Sequence, residues 1–152
     1  MMLIRLTCFS RNRLDCFAGP MHERIEEILA TSLAHNRRDA ITGALVYDDK
    51  WFAQVLEGSE HAVSTTFERI LRDPRHCDVA LVTMTPVAER MFGALPMAGV
   101  RRAENNRDLF RHYGESDRFD PQLMRADRLS DLIAAVVDRS LDPSPRATST
   151  AA

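Results

Sequence analysis

Four side chains with hydrogen-bonding or thiol groups fall on stretches that are otherwise apolar: Gln54, Asn36, Ser32 and Cys8. A carboxamide offers two donors and an acceptor, which suits the recognition of a ligand with a polar edge. A buried amide without a partner costs roughly 2–7 kcal/mol. Each amide therefore needs a protein partner or a bound ligand, and the elements that carry it decide where that partner can lie.

Gln54 lies in a segment that is typical of a β-strand. Aromatic, apolar and β-branched residues fill positions 51–58. Alternate side chains of a strand point to opposite faces, so Gln54 shares its face with Phe52 and Leu56. Trp51 takes the other face.

Asn36 and Ser32 extend the apolar side of a predicted helix that opens at Gly19-Pro20, where proline is well placed. The stripe that they continue consists of Ile25, Ile28, Leu29 and Leu33. The alternative interpretation is a serine packed in mid-helix and an asparagine that ends the helix.

Cys8 follows Ile4 and Leu6 on one face of a strand predicted over residues 2–8. Periodicity directs all four side chains into the layer between a sheet and its helices: Cys8, Gln54, Asn36 and Ser32. Such a cluster could hold a flat, polar-edged heterocycle between two helices. A polar cluster satisfied within the protein would give the same pattern.

The order of predicted elements indicates a ferredoxin-like α+β sandwich, βαββαβ with one further strand. Strands are predicted over residues 2–8, 40–48, 51–58, 79–85 and 97–101, with a loop at 10–18. A second amphipathic helix is predicted over residues 60–73, with Val63, Phe67, Ile70 and Leu71 inward. Gly43 within a strand indicates a bulge or a close approach by another group.

Two further helices are expected to cover the sheet, one over Asn105–Tyr113 and a longer one opening at Asp120-Pro121. The longer helix has an apolar stripe that must pack on the sheet or on another subunit. We therefore divide the chain into a domain at 1–101, a helical extension at 102–141 and a disordered tail at 142–152.

Composition narrows the function classes. The chain has 152 residues, a net charge of −2 and three cysteines without metal-ligand spacing. No basic block suggests nucleic-acid or membrane binding, and the absence of an export pattern favours the cytoplasm. No catalytic motif is present, so we expect no enzyme. Taken alone, His76 is typical of a solvated histidine at a helix end.

The chain resembles a BLUF domain, the FAD-binding blue-light sensor module. The resemblance is carried in order by Leu3–Arg11, Ile28–Ser32 with Asn36, Ile41–Gly43, Phe52-Ala-Gln-Val-Leu-Glu-Gly58, Arg69–His76, and Arg90–Phe92 with Met97. The two C-terminal helices resemble those of short BLUF proteins that carry no fused enzyme.

The resemblance implies that the isoalloxazine of FAD lies between the two helices, with FMN or riboflavin as other possible flavins. It implies cofactor binding by Ser32, Asn36, Gln54, Arg69, Asp73, Arg75 and His76, and a photoactive site at Cys8, Gln54 and Met97. In the family, blue light moves an electron from a tyrosine to the flavin, and the return step rearranges the glutamine and shifts absorption to the red.

Two positions depart from the family pattern. Cys8 stands where the photoactive tyrosine is expected, and Leu95-Pro96 replaces a tryptophan and a serine. Three interpretations of Cys8 compete: a flavin binder whose photocycle is disabled, naturally or by replacement; light chemistry with another donor such as Tyr47 or Trp51; and a thiol–flavin adduct. Pro96 also predicts that the last strand is short or weakly paired.

The sequence thus predicts an FAD-binding sensor that signals through protein–protein contacts, with its standard photocycle disabled. We expect a homo-oligomer and a downstream protein partner that the sequence does not identify. The alternative is a BLUF-fold interaction module that binds no flavin.

Overall fold

The structure is a computed structural model that describes residues 2–142. The tail predicted to be disordered lies outside the described residues, apart from Asp142. Within the described part of the chain, no helix combines the length and the apolar character that a membrane crossing needs.

In the part of the chain that the structure describes, five strands form one mixed sheet in the order β4-β1-β3-β2-β5. The strands are β1 (Leu3–Asn12), β2 (Thr42–Tyr47), β3 (Trp51–Ser59), β4 (His76–Pro86) and β5 (Ala98–Arg101). All neighbours are antiparallel except β2 and β5, which are parallel. The predicted α+β, ferredoxin-like class is confirmed.

Among residues 2–142, four α-helices cover the two faces of the sheet: α1 (Met21–Arg38), α2 (Glu60–Arg72), α3 (Arg107–Gly114) and α4 (Ala126–Leu141). On one face, Phe52 packs with Ile25 and Ile28 of α1, and Leu56 packs with Val63 of α2. The predicted alternation in β3 is therefore correct.

The opposite face of the sheet is covered by the C-terminal helices. Ala53 and Val55 of β3 pack in one cluster with Leu132, Ile133 and Val136 of α4, all of them buried. The apolar stripe of α4 therefore lies on the sheet of its own chain, the first of the two locations that the sequence left open.

Several predicted boundaries were wrong. β1 continues to Asn12 because Ser10 and Asn12 are buried and paired by side-chain hydrogen bonds, so polarity did not mark a loop there. Residues Pro121–Leu123 form only a 3₁₀ turn, and the long helix starts at Ala126. Leu71, predicted to point inward, is exposed.

Gly43 of β2 marks a close approach, one of the two interpretations that the sequence offered. A Cβ atom at Gly43 would lie 2.1 Å from the carbonyl oxygen of Val55. The Gly43 amide donates to the carbonyl of Leu95 at 3.1 Å, which holds the connection before β5 against the sheet. β5 is only four residues long and starts after Pro96, as predicted.

Candidate functional site

A cavity of about 180 Å³ lies between α1, α2 and the sheet. It brings together all seven residues predicted to bind a cofactor: Ser32, Asn36, Gln54, Arg69, Asp73, Arg75 and His76. Its remaining lining residues are Ile28, Thr31, His35, Leu45, Thr66 and Ile70.

Helical periodicity explains how α1 and α2 line this cavity. The α1 positions 28, 31, 32, 35 and 36 and the α2 positions 66, 69 and 70 follow i, i+3, i+4 spacing. Each helix therefore presents one stripe of side chains to the cavity, and each stripe contains both apolar and polar residues. His35 and Thr66 were missed from the sequence, although this spacing from Ser32 and Ile70 could have identified them.

Gln54 presents a buried carboxamide to the cavity. The residue is 6% exposed, and its side chain makes no hydrogen bond with any residue that the structure describes. The amide atoms of Gln54 are not enclosed by protein but open to the cavity, where a ligand can serve as their hydrogen-bond partner. The donor and acceptor of Gln54 are thus available for a polar ring edge.

Asn36 is 1% exposed and is partly committed to the protein. Its Nδ2 donates to the carbonyl oxygen of Pro96 at 2.7 Å, and its Oδ1 has no hydrogen bond among the described residues. Ser32, half-buried one turn earlier, is likewise without a side-chain hydrogen bond in the part of the chain that the structure covers. Asn36 therefore offers its acceptor to the cavity while fixing the backbone before β5.

The far end of the cavity carries charge. Arg75 forms a bidentate pair with Asp73. Burial acts to raise the pKa of Asp73, but the hydrogen bonds and the charge of Arg75 together hold that pKa below its usual value. Arg69 Nη1 is buried without a hydrogen bond and lies 3.5 Å from Asp39 Oδ2. A guanidinium nitrogen that lacks a hydrogen-bond partner at this end of the cavity suits a ligand with an anionic part.

His76 is buried at 9% exposure, so the prediction of a solvated helix-end histidine was wrong. β4 starts at His76, where the residue pairs with Asn12 in the ladder and its ring packs on Phe52 at 4.5 Å. The Nδ1 atom forms a hydrogen bond of 2.8 Å with the Ser10 hydroxyl. Burial lowers the pKa of His76 to about 4, so the ring is neutral near pH 7.

Cys8 lies directly opposite Gln54 in the ladder between β1 and β3. It is 2% exposed in an apolar cluster with Leu6 and Leu56, and burial raises the pKa of its thiol to about 12. Cys8 is not among the cavity-lining residues, and neither is Met97, which is half-buried against the apolar clusters beside the cavity.

The other aromatic donors considered from the sequence lie away from the cavity. Trp51 is buried on the α4 side of the sheet, and Tyr47 packs near the end of β2. The chain's two tyrosines and its tryptophan all fall within the described residues, and none of them lines the cavity.

The segment that carries the cavity matches a known protein family. The family model for BLUF, described as sensors of blue light using FAD, matches residues 3–98. A photoactivated adenylate cyclase subunit beta of Euglena gracilis is 40% identical over 68 residues, which are 45% of this chain and 8% of that protein. The blue light- and temperature-regulated antirepressor BluF of Escherichia coli is 31% identical over 75 residues, 49% of this chain and 19% of that protein.

Solved structures match over more of their own length. The photo-activated state of BlsA has a TM-score of 0.79 at 28% identity and covers 90% of this chain and 95% of its own. The dark state of the BLUF protein BlrB has a TM-score of 0.72 at 27% identity, over 92% and 98% of the two chains. Because the family model spans most of the described sheet and both helices of the cavity, this chain belongs to the BLUF family of blue-light sensors that use FAD.

Proposed function

We propose that this chain binds FAD in the cavity between α1 and α2 and acts as a sensor-type protein whose standard photocycle is disabled. The observation that carries the proposal is the buried carboxamide of Gln54, which faces the cavity without a protein partner. BLUF domains use FAD, and an unpaired amide beside free acceptors on Asn36 and Ser32 fits the polar edge of its ring system.

The residues divide the binding task by chemistry. Gln54 and Asn36 would hold the polar ring edge, with Ser32 contributing its hydroxyl. Arg69, with a buried nitrogen that makes no hydrogen bond, would hold the anionic part, beside the Asp73–Arg75 pair. His76 stays neutral and fixed by Ser10, so it shapes the wall without adding charge. When bound, FAD supplies the absorption of blue light.

The proposal that the standard photocycle is disabled rests on Cys8. We infer that Cys8 takes the position of the family's tyrosine, because it is the β1 residue paired with Gln54. A thiol is shorter than a phenol, and with a pKa near 12 it stays protonated, whereas the thiolate is the reactive form. The same burial argues against a thiol–flavin adduct, and the positions of Tyr47 and Trp51 argue against a replacement donor.

The first test is the colour and light response of the purified chain. We expect a yellow protein that releases FAD on denaturation, identified by chromatography, and that shows little reversible red shift under blue light. A full reversible shift would contradict the role given to Cys8. A folded, colourless protein that takes up no flavin would instead favour an interaction module without a cofactor.

The second test restores the missing group. Cys8→Tyr is expected to regain a reversible red shift, and Cys8→Phe, which adds the ring without the hydroxyl, is the matched control. Both variants add volume at a buried site, which typically costs about 1–3 kcal/mol, so FAD retention is measured first in each. Equal light responses of the two variants would rule out a missing phenol as the defect.

We further propose that the chain signals through protein contacts rather than by catalysis, with residues 1–101 as the sensing domain and residues 102–141 as the extension that a partner reads. The matched family model describes a sensor, and the matched cyclase segment is a small part of a much longer protein. We also propose that the chain associates with itself. Light scattering of the FAD-loaded chain over a concentration series tests this, and a constant monomer mass would contradict it.

A further inference from the structure

A second cluster of reactive side chains lies outside the cavity. The guanidinium of Arg13 contacts two cysteine sulfurs: Nη2 lies 3.2 Å from Cys16 Sγ, and Nη1 lies 4.0 Å from Cys77 Sγ. Both cysteines are free thiols, and neither they nor Arg13 line the cavity. The proposed binding of FAD therefore leaves this cluster without a role.

The backbone holds the two cysteines at the same end of the sheet. Cys16 ends a 3₁₀ turn (Leu14–Cys16), and its amide donates to the carbonyl of Arg13 at 3.0 Å. The amide of Arg13 donates in turn to the carbonyl of Arg75 at 3.0 Å, two residues before Cys77 on β4. The two thiols are thus anchored to neighbouring backbone segments, with one arginine side chain between their sulfurs.

The environment of this pair differs from that of Cys8. Cys16 is exposed and Cys77 is half-buried, so both can meet a small solute, whereas Cys8 is enclosed. Cysteines that react with peroxides are accessible, lie beside a cation such as arginine, and often have a second thiol nearby that resolves the oxidised form. Cys16, Arg13 and Cys77 combine these three features.

We propose that Cys16 and Cys77 form a peroxide-responsive thiol pair that closes to a reversible disulfide. The Cys16 thiolate attacks hydrogen peroxide, the O–O bond breaks, and sulfenic acid and hydroxide form. The Cys77 thiol then displaces hydroxide from that sulfur, which forms the S–S bond and, with its proton, one water. Overall, two thiols are oxidised to a disulfide and one peroxide is reduced to two waters.

The closing step requires the exposed side chain of Arg13 to leave the space between the sulfurs. A disulfide needs Cα atoms within roughly 4.4–6.8 Å, so the closing step ends with Cys16 and Cys77 at that separation. Leu14, at the start of the 3₁₀ turn, is buried, whereas Cys16 at its end is exposed, so the movement is confined to the exposed end of the turn. The disulfide would tie this turn to the strand whose first residue, His76, lines the cavity.

The test is intact-mass spectrometry of the full chain treated with hydrogen peroxide at low protein concentration. We expect a loss of about two mass units, reversed by a dithiol reductant, and a cross-linked peptide pair that joins Cys16 to Cys77. A stable adduct of a sulfenic-acid trap on Cys16 without the mass loss would overturn the pairing, as would no reaction of either residue.

Three single variants separate the pair from general thiol oxidation. Cys16→Ser and Cys77→Ser are each expected to abolish the mass loss, while Cys8→Ser retains it because Cys8 is enclosed. Persistence of the loss in either of the first two would overturn the assignment. Circular dichroism before treatment checks that each variant is folded.

The role of Arg13 is tested by charge. Arg13→Gln removes the cation beside both sulfurs and is expected to slow disulfide formation severalfold, whereas Arg13→Lys retains most of the rate. Equal rates in the two variants would show that the cation does not activate the pair. The exposed Arg37→Gln is the control for a general effect of net charge.

Discussion

At the scale of single residues, the polar side chains on the two faces of β3 differ in whether the protein supplies their hydrogen-bond partners. Glu57 is fully buried and accepts hydrogen bonds from Arg5, Thr42 and the amides of Met91 and Phe92. Gln54, three positions earlier, is buried and unpaired. One strand therefore carries a polar group that completes the fold and another that the fold leaves for a ligand.

His76 gives a prediction for pH. Its pKa is lowered to about 4 by burial, so the folded state holds the ring neutral while the unfolded state binds a proton below its usual pKa, near 6.5. Stability from this residue is thus intact at neutral pH and is lost as pH falls from about 6.5 towards 4, by up to about 3 kcal/mol.

Urea unfolding of the chain and of His76→Gln across this pH window measures the effect. Because other groups titrate in both proteins, the informative quantity is the difference between their unfolding free energies. As pH falls, the unfolding free energy of the native chain is expected to decrease relative to that of His76→Gln. A difference that stays constant with pH would contradict a buried, neutral His76.

At the scale of elements, the packing of β2 against β3 depends on the missing side chain at Gly43. A Cβ there would meet the carbonyl oxygen of Val55, a backbone atom that cannot move aside. We expect Gly43→Ala to lower the unfolding free energy by more than about 2 kcal/mol, as other strained core changes do.

Gly114, at the end of α3, is the matched control for Gly43. A Cβ at Gly114 would lie 3.7 Å from Met124 Sδ, an ordinary contact. Gly114→Ala is therefore expected to be neutral, or stabilising by up to about 1 kcal/mol, because alanine is the better helix former. Thermal unfolding of both variants distinguishes the two sites, and equal effects would contradict the clash at Gly43.

Glu57 anchors the connection between β4 and β5 to the sheet. Glu57→Gln keeps the shape but loses the charge that pairs with Arg5 and gives an amide donor where only acceptors fit. Breaking a buried charge pair typically costs about 3–5 kcal/mol. Denaturant unfolding should show a loss of this order, while the exposed Glu68→Gln changes stability by less than about 0.5 kcal/mol. A small effect at Glu57 would contradict its role as the anchor.

Sequence patterns predicted the elements better than their ends. Period-2 alternation located the strands correctly, because it follows from which face is buried. The ends failed where polar residues were not loop residues, as with Ser10 and Asn12, or where a Pro-containing start was only a turn, as at Asp120-Pro121. Hydrogen-bond partners from distant strands decided these cases, and spacing along the chain does not encode them.

The residues of the candidate site were predictable, but their pairing was not. Helical spacing placed Ser32 and Asn36 on the side that now lines the cavity, and the family pattern added the charged end. The contact of Asn36 with Pro96 depends on how the connection before β5 crosses the sheet. A residue-by-residue judgement also placed His76 at the surface, because it ignored the ladder with Asn12.

At the scale of the whole molecule, the sheet serves two different layers. One face and its helices form the cavity, and the other face is closed by α4, with Phe110 of α3 in the same cluster. The core under α4 includes residues of β2 and β3, so α3 and α4 pack as part of the same folded unit as the sheet. A partner that reads these helices must therefore bind their outer surface.

A substitution at Ile133 tests how much the packing of α4 on the sheet contributes to the free energy of unfolding. Ile133 is fully buried between α4 and the sheet, and Ile133→Ala is expected to cost about 2–5 kcal/mol of unfolding free energy. Leu123, 84% exposed in the turn before α4, is the control, and Leu123→Ala is expected to change stability by less than about 0.5 kcal/mol. Chemical unfolding measures both, and a small effect at Ile133 would mean that α4 is dispensable for the fold.

The hydrogen bond from Asn36 to Pro96 joins the cavity wall to the connection whose Leu95 packs against the cluster beneath α4. Two surfaces that bias one shared element are thermodynamically linked, and that linkage is reciprocal. Any factor by which a ligand at Asn36 changes the affinity of a protein for the α4 side must equal the factor by which that protein changes the affinity for the ligand. If FAD binds at Asn36 as proposed, this one contact would couple its presence to the side of the sheet that α4 covers.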